Sequence, residues 1–141
     1  MVHVDAPPAE VWAVLADFDR ISRWAPAVDH SSFLTERTEG VGTARRVQVG
    51  RTVLVERVTE WDPPHALAYE LEGLPPIVGG ATNRWLLRPD GAGTSVTLTS
   101  TVDPGDRPAG RVVAPVLARR LTSVAQDLVA GLADHLRGGR P

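Results

Sequence analysis

The C-terminal third of the chain carries one continuous apolar stripe at helical spacing. Between residues 108 and 137, large apolar side chains recur every three or four positions. They are Val113, Leu117, Leu121, Val124, Leu128, Leu132 and Leu136. Residues 108–137 would form a helix about 45 Å long, and Gly138-Gly139 is a typical helix end. Pro115 removes a hydrogen bond to the carbonyl of Arg111, which predicts a kink or a late start.

The residues before this helix show the two-residue alternation of β-strands. Val2 and Val4 form a short first strand, and longer strands rich in Val, Thr and Leu follow. Their predicted ranges are 28–37, 43–49, 51–61, 66–72, 82–88 and 94–102. Short turns rich in Gly, Pro and Asp separate them, so neighbouring strands must run antiparallel, because a parallel crossover needs about a dozen residues.

Two short helices are predicted between the first and second strands. Asp5-Ala6-Pro7-Pro8 opens one, and its apolar residues lie at i, i+3, i+4 and i+7. Those residues are Val11, Val14, Leu15 and Phe18. Asp19 is placed to cap the second helix, which runs through Trp24 and ends before Pro26.

These elements predict an α+β fold in a single domain over residues 1–141, with no linker to divide it. Seven antiparallel strands form a curved sheet that wraps around the long C-terminal helix. Such a sheet encloses more volume than its inward side chains fill, so we expect a cavity between sheet and helix. Gly131, beside the apolar stripe, would allow a close approach of helix to sheet.

Composition excludes several classes of protein. The chain has no cysteine, which removes disulfides, thiolate nucleophiles and iron–sulfur clusters. Its net charge is −2, and its 15 basic residues, all arginine, are spread along the chain, so we expect no nucleic acid partner. No apolar run reaches the roughly 18 residues of a membrane span and no signal-like segment follows Met1. We therefore expect a soluble, cytoplasmic protein without integral membrane association.

No motif for metal, cofactor or hydrolytic chemistry occurs in the sequence. No two of the four histidines have metal-ligand spacing. The chain has no phosphate-binding glycine motif, and its serines lack the glycine context of a hydrolase. We expect neither a metal site nor a cofactor.

Several local motifs resemble the START-like (SRPBCC) superfamily, most closely its polyketide cyclase/dehydrase-type branch. The opening is Ala6-Pro7-Pro8-Ala9-Glu10-Val11-Trp12, followed by Leu15, Asp17-Phe18 and Trp24-Ala25-Pro26. The turns Gly40-Val41-Gly42-Thr43, Pro63-Pro64 and Gly91-Ala92-Gly93-Thr94 also fit, and the similarity spans essentially the whole chain. The first strand is shorter than in that family.

The resemblance implies the Bet v 1-like helix-grip fold, with an apolar cavity between sheet and helix. Its members bind lipids, sterols, hormones, polyketides or quinones, and some catalyse cyclisation, aromatisation or hydrolysis. The fold alone does not choose among these functions. We expect binding of a small hydrophobic or amphipathic ligand, such as a lipid, polyketide or quinone-like molecule. The alternatives are a polyketide cyclase/aromatase or dehydratase using the same cavity, and an interaction module whose core is filled.

Strand alternation predicts which polar residues face the cavity. Arg45 shares a face with Val47 and Val49, and Arg57 shares one with Val53 and Val55. A charge on an apolar face needs a partner or a polar ligand, so these arginines are candidates to hold a carboxylate or carbonyl. The alternative is that each lies at a strand end and reaches solvent. Glu56 alternates with Arg57, and Glu70 alternates with Tyr69, so both glutamates are predicted to lie on the outer face.

The other candidates are aromatic, apolar or a histidine. Tyr69 would point inward and donate a hydrogen bond or a proton to a ligand, and Trp85 would form a stacking wall. The alternative for both is a core residue without a ligand contact. His30 would enter the cavity as a base or lie at the surface. Tyr69 and His30 are thus the catalytic candidates.

The ligand-binding set is completed by Ile77, Leu117 and Leu121. Ile77 lies in an apolar loop, residues 74–80, that would gate the cavity together with the start of the long helix around Gly110 and Pro115. We expect a monomer or a homodimer, the latter through the sheet edge at the short first strand.

Overall fold

The computed structural model describes residues 1–74, 76 and 78–138. Its ten elements follow the predicted order. The strands are β1 (Val2–Val4), β2 (His30–Phe33), β3 (Ala44–Val49), β4 (Thr52–Asp62), β5 (Ala66–Glu72), β6 (Gly80–Asp90) and β7 (Gly93–Asp103). The helices are α1 (Pro8–Ala16), a 3-10 helix (Phe18–Arg23) and α2 (Pro108–Gly138).

The seven strands form one antiparallel sheet in the order β1-β7-β6-β5-β4-β3-β2. Each strand from β2 to β7 pairs with its neighbour in sequence, and β1 closes one edge against β7. The curved sheet with one long C-terminal helix and two short helices after β1 confirms the predicted helix-grip architecture.

Helix α2 runs from Pro108 to Gly138 with Pro115 inside it, so the helix does not start late. Its main contacts are with β7 and β1. Helix α1 packs on β6 and β7 at the other end of the same face. The helices therefore cover the β1 side of the sheet most closely.

Gly131 is the point of closest approach on α2. A Cβ atom there would lie 2.6 Å from the carbonyl oxygen of Trp24 and 3.0 Å from Cδ of Pro26. The prediction that Gly131 approaches the sheet was therefore wrong, because its neighbour is the chain that follows the 3-10 helix. The backbone there lies so close that only a residue without a side chain fits.

Strand β2 is shorter than the predicted range 28–37. The Thr35 hydroxyl donates to the carbonyl of Arg37 at 2.7 Å and accepts a hydrogen bond from the Ala44 amide at 3.1 Å. The Leu34 amide still donates to the Ala44 carbonyl at 2.9 Å, but the Thr35 hydroxyl accepts from the Ala44 amide, and the ladder with β3 ends there. The 3-10 helix also differs from expectation, since its N-cap is Asp17, whose side chain makes no cap hydrogen bond, and Asp19 lies inside the helix.

Strand β4 contains a register shift between Val58 and Glu60. Before the shift, Leu54, Glu56 and Val58 share the inner face. After it, Trp61 faces inward and packs edge-on against Trp12, with ring centroids 5.2 Å apart. An extra residue in one strand reverses which side chains face the core, so simple alternation fails along this strand.

Candidate functional site

A cavity of about 290 Å³ lies between α2 and the strands β3, β4 and β5. Because α2 packs mainly on β7 and β1, it leaves space over β3, β4 and β5, and the 3-10 helix packs on β2 and β3 beside that space. The cavity is lined by Ile21, Ala27, Val28, Val47, Val49, Thr52, Leu54, Glu56, Leu71, Asn83, Leu117, Arg120, Leu121, Val124, Ala125 and Leu128. Most of these side chains are apolar, as in pockets that bind small organic molecules.

The lining residues divide into a buried base and an exposed mouth. Glu56, Leu71 and Asn83 are buried and lie at the base. The exposed lining residues surround the mouth, where the hairpin between β3 and β4 faces α2. They are Ala27, Val49, Thr52, Arg120 and Val124. The cavity is therefore closed at its polar base and open to solvent at the other end.

The base is built around a buried ion pair between Arg45 and Glu56, which are 3% and 6% exposed. Arg45 Nε donates to Glu56 Oε1 at 2.8 Å, and Nη2 lies 2.8 Å from the same oxygen. The two residues are direct cross-strand partners in β3 and β4, so their side chains share one face. The pair leaves the base with no net charge.

Arg45 is held from three directions. Its Nη1 donates to the carbonyl oxygen of Phe18 at 2.8 Å. The guanidinium carbon lies 3.7 Å from the centroid of the Phe18 ring and 4.8 Å from that of Tyr69. A desolvated cation gains from such ring contacts. Arg45 is therefore a fixed group that orients Glu56.

Tyr69 lies fully buried behind the cavity base. Its hydroxyl oxygen accepts a hydrogen bond from Trp85 Nε1 at 3.3 Å. Burial raises the pKa of this phenol, and the negative charge of Glu56 raises the pKa further, while Arg45 and the hydrogen bonds from Trp85 and Asn83 oppose the shift. Tyr69 is therefore a neutral hydroxyl group in this structure near pH 7.

Asn83 is the second polar residue at the base. Its Oδ1 accepts a hydrogen bond from the Ser100 hydroxyl at 2.6 Å on the neighbouring strand. Asn83 is also the direct cross-strand partner of Tyr69 on β5, so the two side chains share one face of the sheet. The bond to Ser100 orients the Asn83 side chain at the cavity wall. Glu56 and Asn83 thus present fixed polar atoms in an otherwise apolar base.

Two predicted orientations on β4 were wrong. Arg57 lies on the outer face, where its side chain is 43% exposed and its Nε donates to Glu72 Oε1 at 3.1 Å. Glu56, predicted to face outward, is the buried partner of Arg45. Apolar residues occupy both parities of β4, with Val53 and Val55 outside and Leu54 and Val58 inside, so hydrophobicity did not identify the inner face.

The remaining predicted residues lie at the cavity, behind its base, at the surface or outside the described part of the chain. Leu117 and Leu121 line the cavity, and Arg45, Tyr69 and Trp85 are buried behind its base. Of the two places predicted for His30, the surface is confirmed and the cavity is wrong, since His30 is exposed at the start of β2. The next residue, Ser31, faces the 3-10 helix through hydrogen bonds to Ser22 and Asp19. Ile77 lies outside the described residues. Glu70 is exposed on the outer face, as predicted.

Four polar residues that line the cavity were not identified as ligand-binding candidates from the sequence: Thr52, Glu56, Asn83 and Arg120. The tight turn at Gly50-Arg51 was a usable signal for Glu56. A two-residue hairpin turn pairs residues 49 and 52 and therefore pairs Arg45 with Glu56. An inward Arg45 then requires an inward Glu56. Nothing comparable in the sequence indicates Asn83 or Arg120.

Among the described residues, no group of three or more His, Asp or Glu side chains is arranged to hold a metal ion. No helix in this part of the chain combines the length and hydrophobicity needed to cross a membrane.

Several solved structures share this fold at low sequence identity. TTHA0849 from Thermus thermophilus is 19% identical, with a TM-score of 0.75, over 99% of this chain and 96% of that chain. The di-domain ARO/CYC BexL from the BE-7585A biosynthetic pathway is 22% identical, with a TM-score of 0.74, over 96% of this chain and 44% of that chain. The Bet v 1 allergen Ara h 8.0201 is 16% identical, with a TM-score of 0.65, over 93% and 92% of the two chains.

These identities are low, so the similarities establish the fold and not the activity. No protein of curated function has significant sequence similarity to this chain. A sequence profile of one family, described as "Polyketide cyclase / dehydrase and lipid transport", matches residues 1–137. Motifs, fold and profile agree, and the chain belongs to this polyketide cyclase/dehydrase and lipid transport family.

Proposed function

We propose that the protein binds one small, largely apolar molecule in the cavity and recognises a hydrogen-bond donor at the inner end of that molecule. Membership of the family supports a ligand-binding or cyclase role. The observation that carries the narrower proposal is a single carboxylate, Glu56, at the buried base of an apolar cavity.

The hydrogen bonding of Glu56 supports a donor as the ligand group. Both guanidinium contacts from Arg45 go to Oε1. Among the described residues no hydrogen bond to Oε2 is found, which leaves this oxygen for a ligand hydroxyl or N–H group. Because Arg45 already neutralises Glu56, a neutral donor fits the base better than an ion, whose desolvation would have no opposite charge to offset it.

The size and lining of the cavity support an aliphatic or flat ligand of modest length. A volume of about 290 Å³ is close to the lower end of ordinary ligand pockets. Burial of the apolar part stabilises the complex by about 25 cal/mol per Å². The donor group then contributes orientation more than affinity.

The first test is to identify what the protein carries. Native mass spectrometry of the purified protein, followed by solvent extraction, would show any small molecule bound at one equivalent. Lauryl alcohol is a defined probe, since it has an alkyl chain and one hydroxyl donor. We expect saturable binding at one site by isothermal titration calorimetry.

Variants locate the binding site. Glu56→Gln replaces the carboxylate acceptor with a neutral one, and we expect lauryl alcohol affinity to fall about fivefold. Glu70→Gln, on the exposed outer face of β5, is the matched control and should leave affinity unchanged. Leu121→Trp places a large ring in the cavity and should abolish binding. Equal affinity in the Leu121→Trp variant would show that the cavity is not the site.

A second candidate function is cyclisation of a poly-β-keto chain. The observation that favours it is the cluster of Glu56, Asn83 and Tyr69 at the end of an apolar cavity. Such a reaction needs a base for a carbon-bound proton and donors for a developing oxyanion. Glu56 would be the base and the Asn83 amide a donor. Cyclisation of a poly-β-keto thioester, lost in Glu56→Gln and retained in Glu70→Gln, would establish this activity.

A further inference from the structure

The cavity carries opposite charges at its two ends. Among the described residues that line it, Glu56 is the only acidic residue and Arg120 is the only basic residue. Glu56 is buried at the base, whereas Arg120 is exposed at the mouth on α2. A molecule filling the cavity would therefore meet a hydrogen-bond acceptor at one end and a guanidinium group at the other.

Arg120 has no carboxylate to neutralise it within the part of the chain that the structure describes. The surrounding sequence is also basic. From Arg107 to Gln126 the chain contains four arginines and no acidic residue. Clustered charge of one sign beside an apolar opening attracts ligands of the opposite charge.

We propose that the ligand is amphipathic, with a hydroxyl or N–H donor at the inner end and an anionic group at the mouth bound by Arg120. This inference rests on the proposed function and adds the ligand's second polar group and its direction. The charges favour this direction over the reverse. An anion at the base would lose its water and face the Glu56 carboxylate, whereas at the mouth it keeps its hydration and gains Arg120.

The neighbouring Arg119 provides a matched control. Both arginines are exposed on α2, but Arg119 does not line the cavity. Successive helix residues are turned by about 100° around the axis. The two side chains therefore carry the same charge but point to different sides of the helix. If substitution of Arg120 weakens ligand binding and substitution of Arg119 does not, the cause is a direct contact between Arg120 and the ligand and not the overall charge of the helix.

The experiment compares ω-hydroxylaurate with its methyl ester by isothermal titration calorimetry at low salt. The two probes share the chain and the hydroxyl donor and differ in the anionic group. The wild-type protein should bind the acid about fivefold more tightly than the ester, as expected for a partly exposed ion pair. Arg120→Gln should remove this preference, and Arg119→Gln should retain it. Added salt should weaken binding of the acid and leave the ester unchanged.

The outcomes separate this inference from the proposed function. If lauryl alcohol and the methyl ester bind in the cavity but the acid has no advantage, the anionic end is wrong and the proposed function stands. If the acid's advantage survives in Arg120→Gln, Arg120 is not its partner. If none of the probes binds, both proposals fail.

Discussion

At the scale of single residues, the molecule is distinguished by a charge pair placed where most proteins of this size have only apolar packing. Arg45 and Glu56 lie almost without solvent contact, and every contact of Arg45 described above is to Glu56, Phe18 or Tyr69. Such a pair is costly to desolvate, so it adds little net stability while both members are present. Removal of only one member destabilises the protein strongly, because the other charge is then buried without a partner.

This asymmetry gives a prediction about stability. Arg45→Met and Glu56→Leu, made singly, should each lower the free energy of unfolding by about 3–5 kcal/mol, and the double variant should lose less than either. Urea denaturation at pH 7 measures all four proteins. The exposed pair Arg57 and Glu72 is the control, where single changes should cost at most about 1 kcal/mol. Additive losses at Arg45 and Glu56 would contradict the coupling.

Tyr69 gives a prediction about pH. It is the only tyrosine in the chain, so absorbance of phenolate reports this residue alone. Burial and Glu56 raise its pKa above the ordinary value of 10.0. The folded state thus favours the protonated phenol, and the associated stability is present below pH 10.0 and is lost as pH rises through the raised pKa.

The titration should therefore show little phenolate at about pH 10 while the protein stays folded. Circular dichroism followed on the same samples reports unfolding. Glu56→Gln removes one cause of the shift, so ionisation should begin at lower pH in that variant. Half-ionisation of Tyr69 at about pH 10 in the folded wild-type protein would be inconsistent with its burial.

At the scale of elements, the position of α2 is fixed by a backbone contact. Gly131 lies against the Trp24 carbonyl, and a backbone atom cannot rotate away from an added methyl group as a flexible side chain can. Trp24 in turn packs edge-on against Trp85 of β6, with ring centroids 5.9 Å apart. The contact therefore connects the C-terminal half of α2 with the 3-10 helix and the sheet.

Gly131→Ala should lower the free energy of unfolding by about 1–3 kcal/mol, as overpacking does. This sign is opposite to that of most Gly-to-Ala changes within helices, which stabilise by about 0.5–1 kcal/mol. Gly138→Ala is the control near the helix end, since a Cβ atom there meets nothing within 4 Å. Thermal unfolding of the two variants compares them directly. A stabilised Gly131→Ala protein would mean that α2 does not approach Trp24 this closely.

At the scale of the whole molecule, the cavity results from an uneven placement of helices on a curved sheet. Helix α1 and helix α2 concentrate their contacts on β1, β6 and β7. The strands β3, β4 and β5 meet the middle part of α2, residues 117–128, across the cavity. The mouth therefore lies between the hairpin of β3 and β4 and the basic segment of α2. The same arrangement that leaves space for a ligand also places Arg120 at the opening.

The sequence alone determined the element order, the antiparallel sheet and the long C-terminal helix. Its evidence was local, since periodicity and turn residues depend on neighbours along the chain. The inward orientations of Arg45, Tyr69 and Trp85 also followed from alternation on their own strands and are confirmed by their burial. The register of β3 and β4 was readable from the turn at Gly50-Arg51, although hydrophobicity on β4 indicated the wrong face.

Only the tertiary structure decided which polar groups meet at the cavity. Arg120 reaches the mouth because of the direction in which α2 crosses the sheet. Asn83 reaches the base because its strand, β6, is separated from the strand of Glu56 only by β5. The bulge after Val58 and the contact at Gly131 likewise depend on partners far away in sequence. The physical reason is that side-chain periodicity depends on one helix or strand, whereas a binding site depends on how several elements pack together.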